Sequence, residues 1–148
     1  MMFEKTGQIK RFKDGQVIFY ENDPGKIMYV IESGKVKLTR TKMREGENIV
    51  TTLAVLEKGN FFGEMSLFDY RPRSATATAV GDVELRVVTR KDLESQIKEN
   101  PELALYFLDK MSQRVRKIDD LIETLLVRER LAKNVYDKLD TLRYPEFI

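Results

Sequence analysis

GNFFGEMSLFDYRPRSATATA, residues 59–79, is the stretch from which the rest of the chain can be read. It opens on a turn at Lys58-Gly59-Asn60, passes Phe61 and Phe62, and reaches Gly63-Glu64. Met65-Ser66-Leu67-Phe68 is long enough for one helical turn, and Asp69-Tyr70-Arg71-Pro72 ends it. Arg73-Ser74-Ala75 then leads into an alternating run of small residues to Ala79. A helical turn begun at a glycine offers unpaired N–H groups and a close backbone approach, both suited to an anionic oxygen. Arg73 can return over the same anion with its planar fork. Each residue also has a plainer reading: Gly63 as a turn glycine, Glu64 as a helix-dipole partner, Arg73 as a surface cation.

Outward from this stretch the chain is punctuated like a β protein. Ile9–Phe12 and Val17–Tyr20 flank an Asp14-Gly15 turn, and Asn22-Asp23-Pro24-Gly25 is a loop. Ile27–Ile31 is rich in β-formers, and Ser33-Gly34 predicts a hairpin into Val36–Arg40. Arg44-Glu45-Gly46-Glu47 turns into Asn48–Leu56, alternating around Ile49 and Leu53. Gly81-Asp82 turns into Val83–Val88. About eight short strands at hairpin spacing predict a mainly β fold, an eight-stranded antiparallel jelly roll or double-stranded β-helix barrel. Lys35, Lys37, Arg40, Lys42 and Arg44 are interleaved with threonines and read as a solvated face.

Glu64 is out of place beside a bare anion but fits a ligand with a hydroxyl next to its phosphate, as in a cyclic nucleotide. Phe62-Gly63-Glu64-Met65-Ser66-Leu67 followed by Arg73-Ser74-Ala75 resembles the phosphate-binding cassette of the cyclic-nucleotide-binding domains. That family includes the bacterial catabolite activator, the regulatory subunits of cyclic-nucleotide-dependent kinases and gated channels; the resemblance runs from about Ile9 to Ile122. It implies that Gly63, Met65, Ser66 and Ser74 line the cyclic phosphate, with Phe62 and Ala75 part of the cassette. Glu64 would accept from the ribose 2′-hydroxyl, and Arg73 would neutralise the phosphate. The expected ligand is cyclic AMP, with cyclic GMP open, and no further cofactor. The expected division is a barrel over residues 1–99, with the cassette at 59–79, and C-terminal helices over 100–148 within the same domain.

The chain has 148 residues, with 42% hydrophobic and 34% charged, enough for one domain with a substantial core. Its 26 basic and 24 acidic residues are intermixed, so charge alone does not point to nucleic acid. No apolar run approaches the ~18 residues of a membrane span, and MMFEKTGQIKRF has no apolar signal core, which gives cytoplasm as the expected location. The absence of Cys and His removes thiol nucleophiles, the commonest metal ligands and the commonest general base. No nucleophile–base pair or metal cluster is legible, so the chain reads as a binder and not an enzyme.

From Thr89 the period becomes helical. Thr89-Arg90-Lys91-Asp92 predicts a capping box opening a helix through Ile97, and Asn100-Pro101 starts another. Leu108, Met111, Val115, Ile118, Ile122 and Leu125 recur every three or four residues, a seam that predicts a homodimer. The alternative is packing on the chain's own barrel. The resemblance places Ile118 and Asp119 where the catabolite activator touches its base. A second helix is expected over about Glu129–Leu142, after a break near Val127-Arg128. The ~20 residues beyond Val127 do not read as a winged helix-turn-helix, so the expectation is a stand-alone sensor that binds no DNA and signals by moving its C-terminal helices. A partner-docking module with an unused pocket, or a shortened transcription regulator, stands as the alternative.

Overall fold

The structure, a computed structural model, describes residues 7–129. It contains six strands: β1 (Ile9–Phe12), β2 (Val17–Phe19), β3 (Ile27–Arg44), β4 (Glu47–Leu56), β5 (Phe61–Phe62) and β6 (Thr76–Thr89). The helices are α1 (Glu64–Asp69), α2 (Arg90–Glu99) and α3 (Glu102–Glu129). All pairings are antiparallel, in the order β1-β6-β3-β4, with β2 also on β6 and β5 also on β3. This is the mainly β, jelly-roll class with a long C-terminal helix that the strand spacing predicts.

The chain does not turn back at Ser33-Gly34 or at Gly81-Asp82. The predicted strands Ile27–Ile31 and Val36–Arg40 form one strand, β3, and the runs before and after Gly81 form one strand, β6. The two continuous strands pair with each other from Ile27↔Thr89 to Thr39↔Thr76. The register jumps between Ile31 and Lys35, where Gly34 faces a stretch of β6 around Gly81. Gly34 and Gly81 have φ of 84° and 69°, the left-handed region that bends a strand as readily as it closes a hairpin. Merging two predicted pairs in this way turns about eight strands into six.

The ladder must also roll. Asp23 is hydrogen-bonded to Arg73, just before Thr76, while Ile27 pairs with Thr89 at the other end of β6. Thirteen extended steps from Thr76 to Thr89 would cover about 43 Å, but the four steps from Asp23 to Ile27 reach at most about 14 Å. Both contacts can hold only if the β3–β6 ribbon curls back on itself. Tyr29, Ile31, Val36, Ala77, Ala79, Val83, Leu85 and Phe62 form the buried cluster inside that curl. Met28, Val30 and Val88, on the alternate positions, are buried as well, and α1 and α2 pack against β3 and β6. Ile49 and Leu53 of the edge strand β4 remain exposed, so their alternation marks a strand without marking core.

Thr89 caps α2 as its spacing predicts: its Oγ1 accepts from Asp92 N–H at 3.1 Å, and Asp92 Oδ2 accepts from Thr89 N–H at 3.0 Å. The chain divides at Leu103/Ala104 into two units, the second holding most of α3. On α3, Leu108, Val115, Ile118, Ile122 and Leu125 are all exposed. The helix runs unbroken past Val127-Arg128 to Glu129, so the expected break is absent there; the second helix lies outside the described residues.

The corner glycines permit a graded test. At Gly15, φ is +78° and a Cβ would meet nothing within 4 Å; at Gly34, φ is +84° and a Cβ would overlap the Asp82 carbonyl oxygen. Gly15→Ala should cost about 1–2 kcal/mol from backbone conformation alone. Gly34→Ala should cost clearly more in urea unfolding, because backbone would have to move at the corner. Equal losses would contradict a packed corner there.

Candidate functional site

The cassette is assembled between the end of β5 and the start of β6. Gly63 caps α1 with φ 78°, and Tyr70 closes the helix with φ 58°, so left-handed residues bound this single short helix on both sides. Of its side chains, Glu64 and Ser66 are 3% and 2% exposed whereas Met65 is 53% exposed. The alternation follows from a short helix lying on β3 with one face covered. Leu67 is buried on the same element, and its carbonyl accepts from Arg90 Nη1 at 3.1 Å.

Arg73 is the centre of the arrangement. It is 4% exposed, its Nη1 donates to the Gly63 carbonyl at 2.9 Å, and its Cζ lies 4.2 Å from the centroid of the Phe19 ring. Its Nε is buried and finds no hydrogen-bond acceptor. Burial lowers its pKa, opposed by the negative influence of Tyr29, Asp23 and Glu64. An arginine stays charged under such a shift, so the site holds a desolvated cation beside a glycine-started turn.

The backbone around Arg73 is held from two sides. Its N–H donates to the Asp23 carbonyl and its own carbonyl accepts from Asn22 N–H, both at 2.8 Å. Arg40 Nε and Nη2 donate to the Ser74 carbonyl at 3.0 and 2.9 Å. Glu21 lies 3.7 Å from Arg40 Nε and accepts from Thr41 N–H at 3.1 Å. Ser74 Oγ lies 3.8 Å from Met65 Sδ, within sulfur hydrogen-bond range, and Ala75 is buried at the start of the alternating run. Phe62 stacks on Tyr29 with centroids 5.3 Å apart and sits 5.8 Å from Phe19.

The structure therefore brings Phe62, Gly63, Glu64, Met65, Ser66, Arg73, Ser74 and Ala75 into one locality. Ile118 and Asp119 lie on α3 in the second unit, both exposed. Phe19, Asp23, Gly25, Tyr29 and Arg40 surround the cassette without carrying a site signal in the sequence. Asn22–Gly25 carried only a loop signal, Phe19 and Tyr29 only strand signals, and Arg40 reads as one of five surface cations. None has a local pattern that distinguishes it.

Residues 9–100 match the sequence profile described as cyclic nucleotide-binding domain. The chain belongs to that family. It is 38% identical over 136 residues to the cyclic AMP receptor protein of Thermus thermophilus, covering 92% of this chain and 62% of that protein. The chain thus spans about six-tenths of that relative's length. The crystal structure of the Thermus thermophilus catabolite activator protein superposes with a TM-score of 0.73 at 34% identity, covering 84% of this chain and 64% of that one. An EAL enzyme solved in cAMP-bound and cGMP-bound forms matches at 31% identity, with TM-scores of 0.56 and 0.53. The match covers 83% and 74% of this chain, and 32% and 28% of that enzyme.

Tyr29 gives this cyclic nucleotide-binding domain a pH signature. Burial raises its pKa, and the nearby Arg73 charge only partly offsets this. The folded value is above the unfolded one, so its contribution is fully present below the ordinary tyrosine value of about 10 and is lost as pH rises through the folded value. Tyr29 should ionise above the ordinary tyrosine value in an absorbance titration, and alkaline unfolding should be milder in Tyr29→Phe. Ionisation of all tyrosines together in the folded protein would contradict this.

Proposed function

We propose that this domain binds a cyclic nucleotide reversibly, cyclic AMP in preference to cyclic GMP, and converts occupancy into movement of its C-terminal helix. The buried Arg73 guanidinium, with Nε lacking an acceptor beside the Gly63 turn, carries the reading. A desolvated cation is stabilised by an anion brought into contact with it. On the family pattern, Gly63, Met65, Ser66 and Ser74 supply donors to the cyclic phosphate. Glu64 accepts from the ribose 2′-hydroxyl, and Arg73 matches the charge. Cyclic AMP is favoured because a relative matched over 92% of this chain is named a cyclic AMP receptor; the EAL enzyme's two bound forms keep cyclic GMP in the test. Ile118 and Asp119 are proposed to meet the base. The ligand is proposed to leave unchanged, since no nucleophile–base pair is legible in the sequence.

Helix α3 is proposed as a dimer seam. Its Leu108, Val115, Ile118, Ile122 and Leu125 recur at heptad-like spacing and are exposed in the single chain, which supports pairing with a second copy. Ligand-dependent motion follows if the nucleotide contacts two arrangements of α3 unequally. The exposed seam also favours a second reading, in which the domain is chiefly a dimerisation module with an unused pocket.

Calorimetry on ligand-stripped protein separates the two. Micromolar binding of cyclic AMP, weaker binding of cyclic GMP, and a loss of at least roughly 10- to 100-fold in Arg73→Ala are expected, because hydrogen bonds to charged groups contribute about 1.5–3 kcal/mol each. Retained affinity in a folded Arg73→Ala protein would refute the assignment. A folded dimer that ignores both nucleotides would favour the second reading. Leu108→Lys with Val115→Lys should yield monomers by sedimentation; an unchanged dimer would place the interface elsewhere.

A further inference from the structure

Gly25 lies directly against the arginine of the cassette, although 48 positions separate them. A Cβ on Gly25 would overlap Arg73 Nε and Cζ and approach Cδ to 2.8 Å. All three atoms belong to the guanidinium end of the side chain; no backbone atom is among the nearest three. Gly25 does not have the positive φ of the corner glycines, so its backbone conformation is open to alanine. Its value is the space it leaves. Phe19 covers the guanidinium at 4.2 Å, and Gly63 takes Nη1 at 2.9 Å. Gly63 is also close enough that a Cβ there would lie 2.7 Å from Nη1. Arg73 is therefore seated in a slot made by one aromatic ring and two glycines.

We infer that Gly25 is a positioning residue for ligand binding: its missing side chain lets the Arg73 guanidinium lie along the 22–25 loop and aim at the phosphate site. The inference rests on the proposed binding of a cyclic nucleotide. An alanine methyl at 25 would be accommodated by displacing the movable end of Arg73, because the backbone there is pinned by the Asp23 and Asn22 bonds. The fold would remain while the cation is mis-aimed, and a misplacement of that order is enough to lose a charge-assisted contact.

The test is a double-mutant cycle on the full chain, with cyclic AMP and cyclic GMP as probes and ¹⁵N detection of the arginine Nε–H groups. Gly25→Ala should melt within a few degrees of wild type yet bind at least tenfold more weakly. In an Arg73→Ala background the same change should have no further effect on affinity. The Arg73 Nε–H resonance should shift and exchange faster with water in Gly25→Ala. Wild-type affinity in Gly25→Ala overturns the inference, as does an equal loss with and without Arg73, which would make Gly25 a loop-shape residue. Collapse of the fold in Gly25→Ala also overturns it, since the methyl would then be resisted by more than the arginine. If wild type binds neither nucleotide, the functional reading fails. Gly25 is then judged on the Arg73 resonance alone: displaced, the positioning role stands; unchanged, it falls.

Discussion

Burying the charge of Arg73 is the constraint to which the rest of the domain is fitted. Removing a cation from water costs several kcal/mol even after the protein relaxes, so the guanidinium must be met by groups held rigidly in place. The fold meets it with the Gly63 carbonyl, the Phe19 face, the nearby Asp23 and Glu64 carboxylates and the Tyr29 phenol. These groups come from β2, the loop after it, β3, and the turn that starts α1. No local segment could bring them together. A cation so held, with Nε lacking an acceptor, is the feature on which the proposed anion binding rests.

The rolled β3–β6 ribbon is what makes that convergence possible. Asp23 and Arg73 are bonded through their backbones near one end of β6, and four residues after Asp23 the chain has entered β3 opposite the other end. The corners at Gly34 and Gly81 let the paired strands bend without losing their register on either side. Small residues follow the same logic: Ala75, Ala77 and Ala79 are buried where β6 passes the site, so the strand approaches its neighbours closely. Tyr29 and Phe62, in the same buried cluster as Ala77 and Ala79, supply the bulk and stack at 5.3 Å. Barrel and site are thus one packing problem, with large aromatics and alanines sharing one cluster and Phe19 covering the cation.

Much of this was legible where the physics is local. The Thr89–Asp92 capping box, the Glu45-Gly46 turn and the one-turn helix after Gly63 depend on neighbours within a few residues, and each forms as its spacing predicts. The cassette was legible because its donors and its arginine lie within a dozen residues of one another. Ser33-Gly34 reads as a hairpin because a left-handed glycine inside a strand carries the same signal as one in a turn; only the partner strand decides, and β6 bends with β3. Ile49 and Leu53 alternate as core residues do, but β4 is an edge strand and leaves them exposed.

Gly25, Phe19 and Arg40 were illegible for a different reason. Each acts across a long sequence separation, and each belongs to a residue type with a more ordinary local use. Arg40 shows the difference most clearly. It sits in a run with Lys37 and Lys42 that reads as solvated surface, and it keeps part of its side chain in water. Yet both of its donors close on the Ser74 carbonyl, one residue beyond Arg73, and Glu21 lies beside it. A lysine could not hold one carbonyl with two donors of a rigid fork in the same way. Residue type therefore matters at position 40 although charge alone would not reveal it, and Arg73 is steadied by a second arginine through the backbone between them.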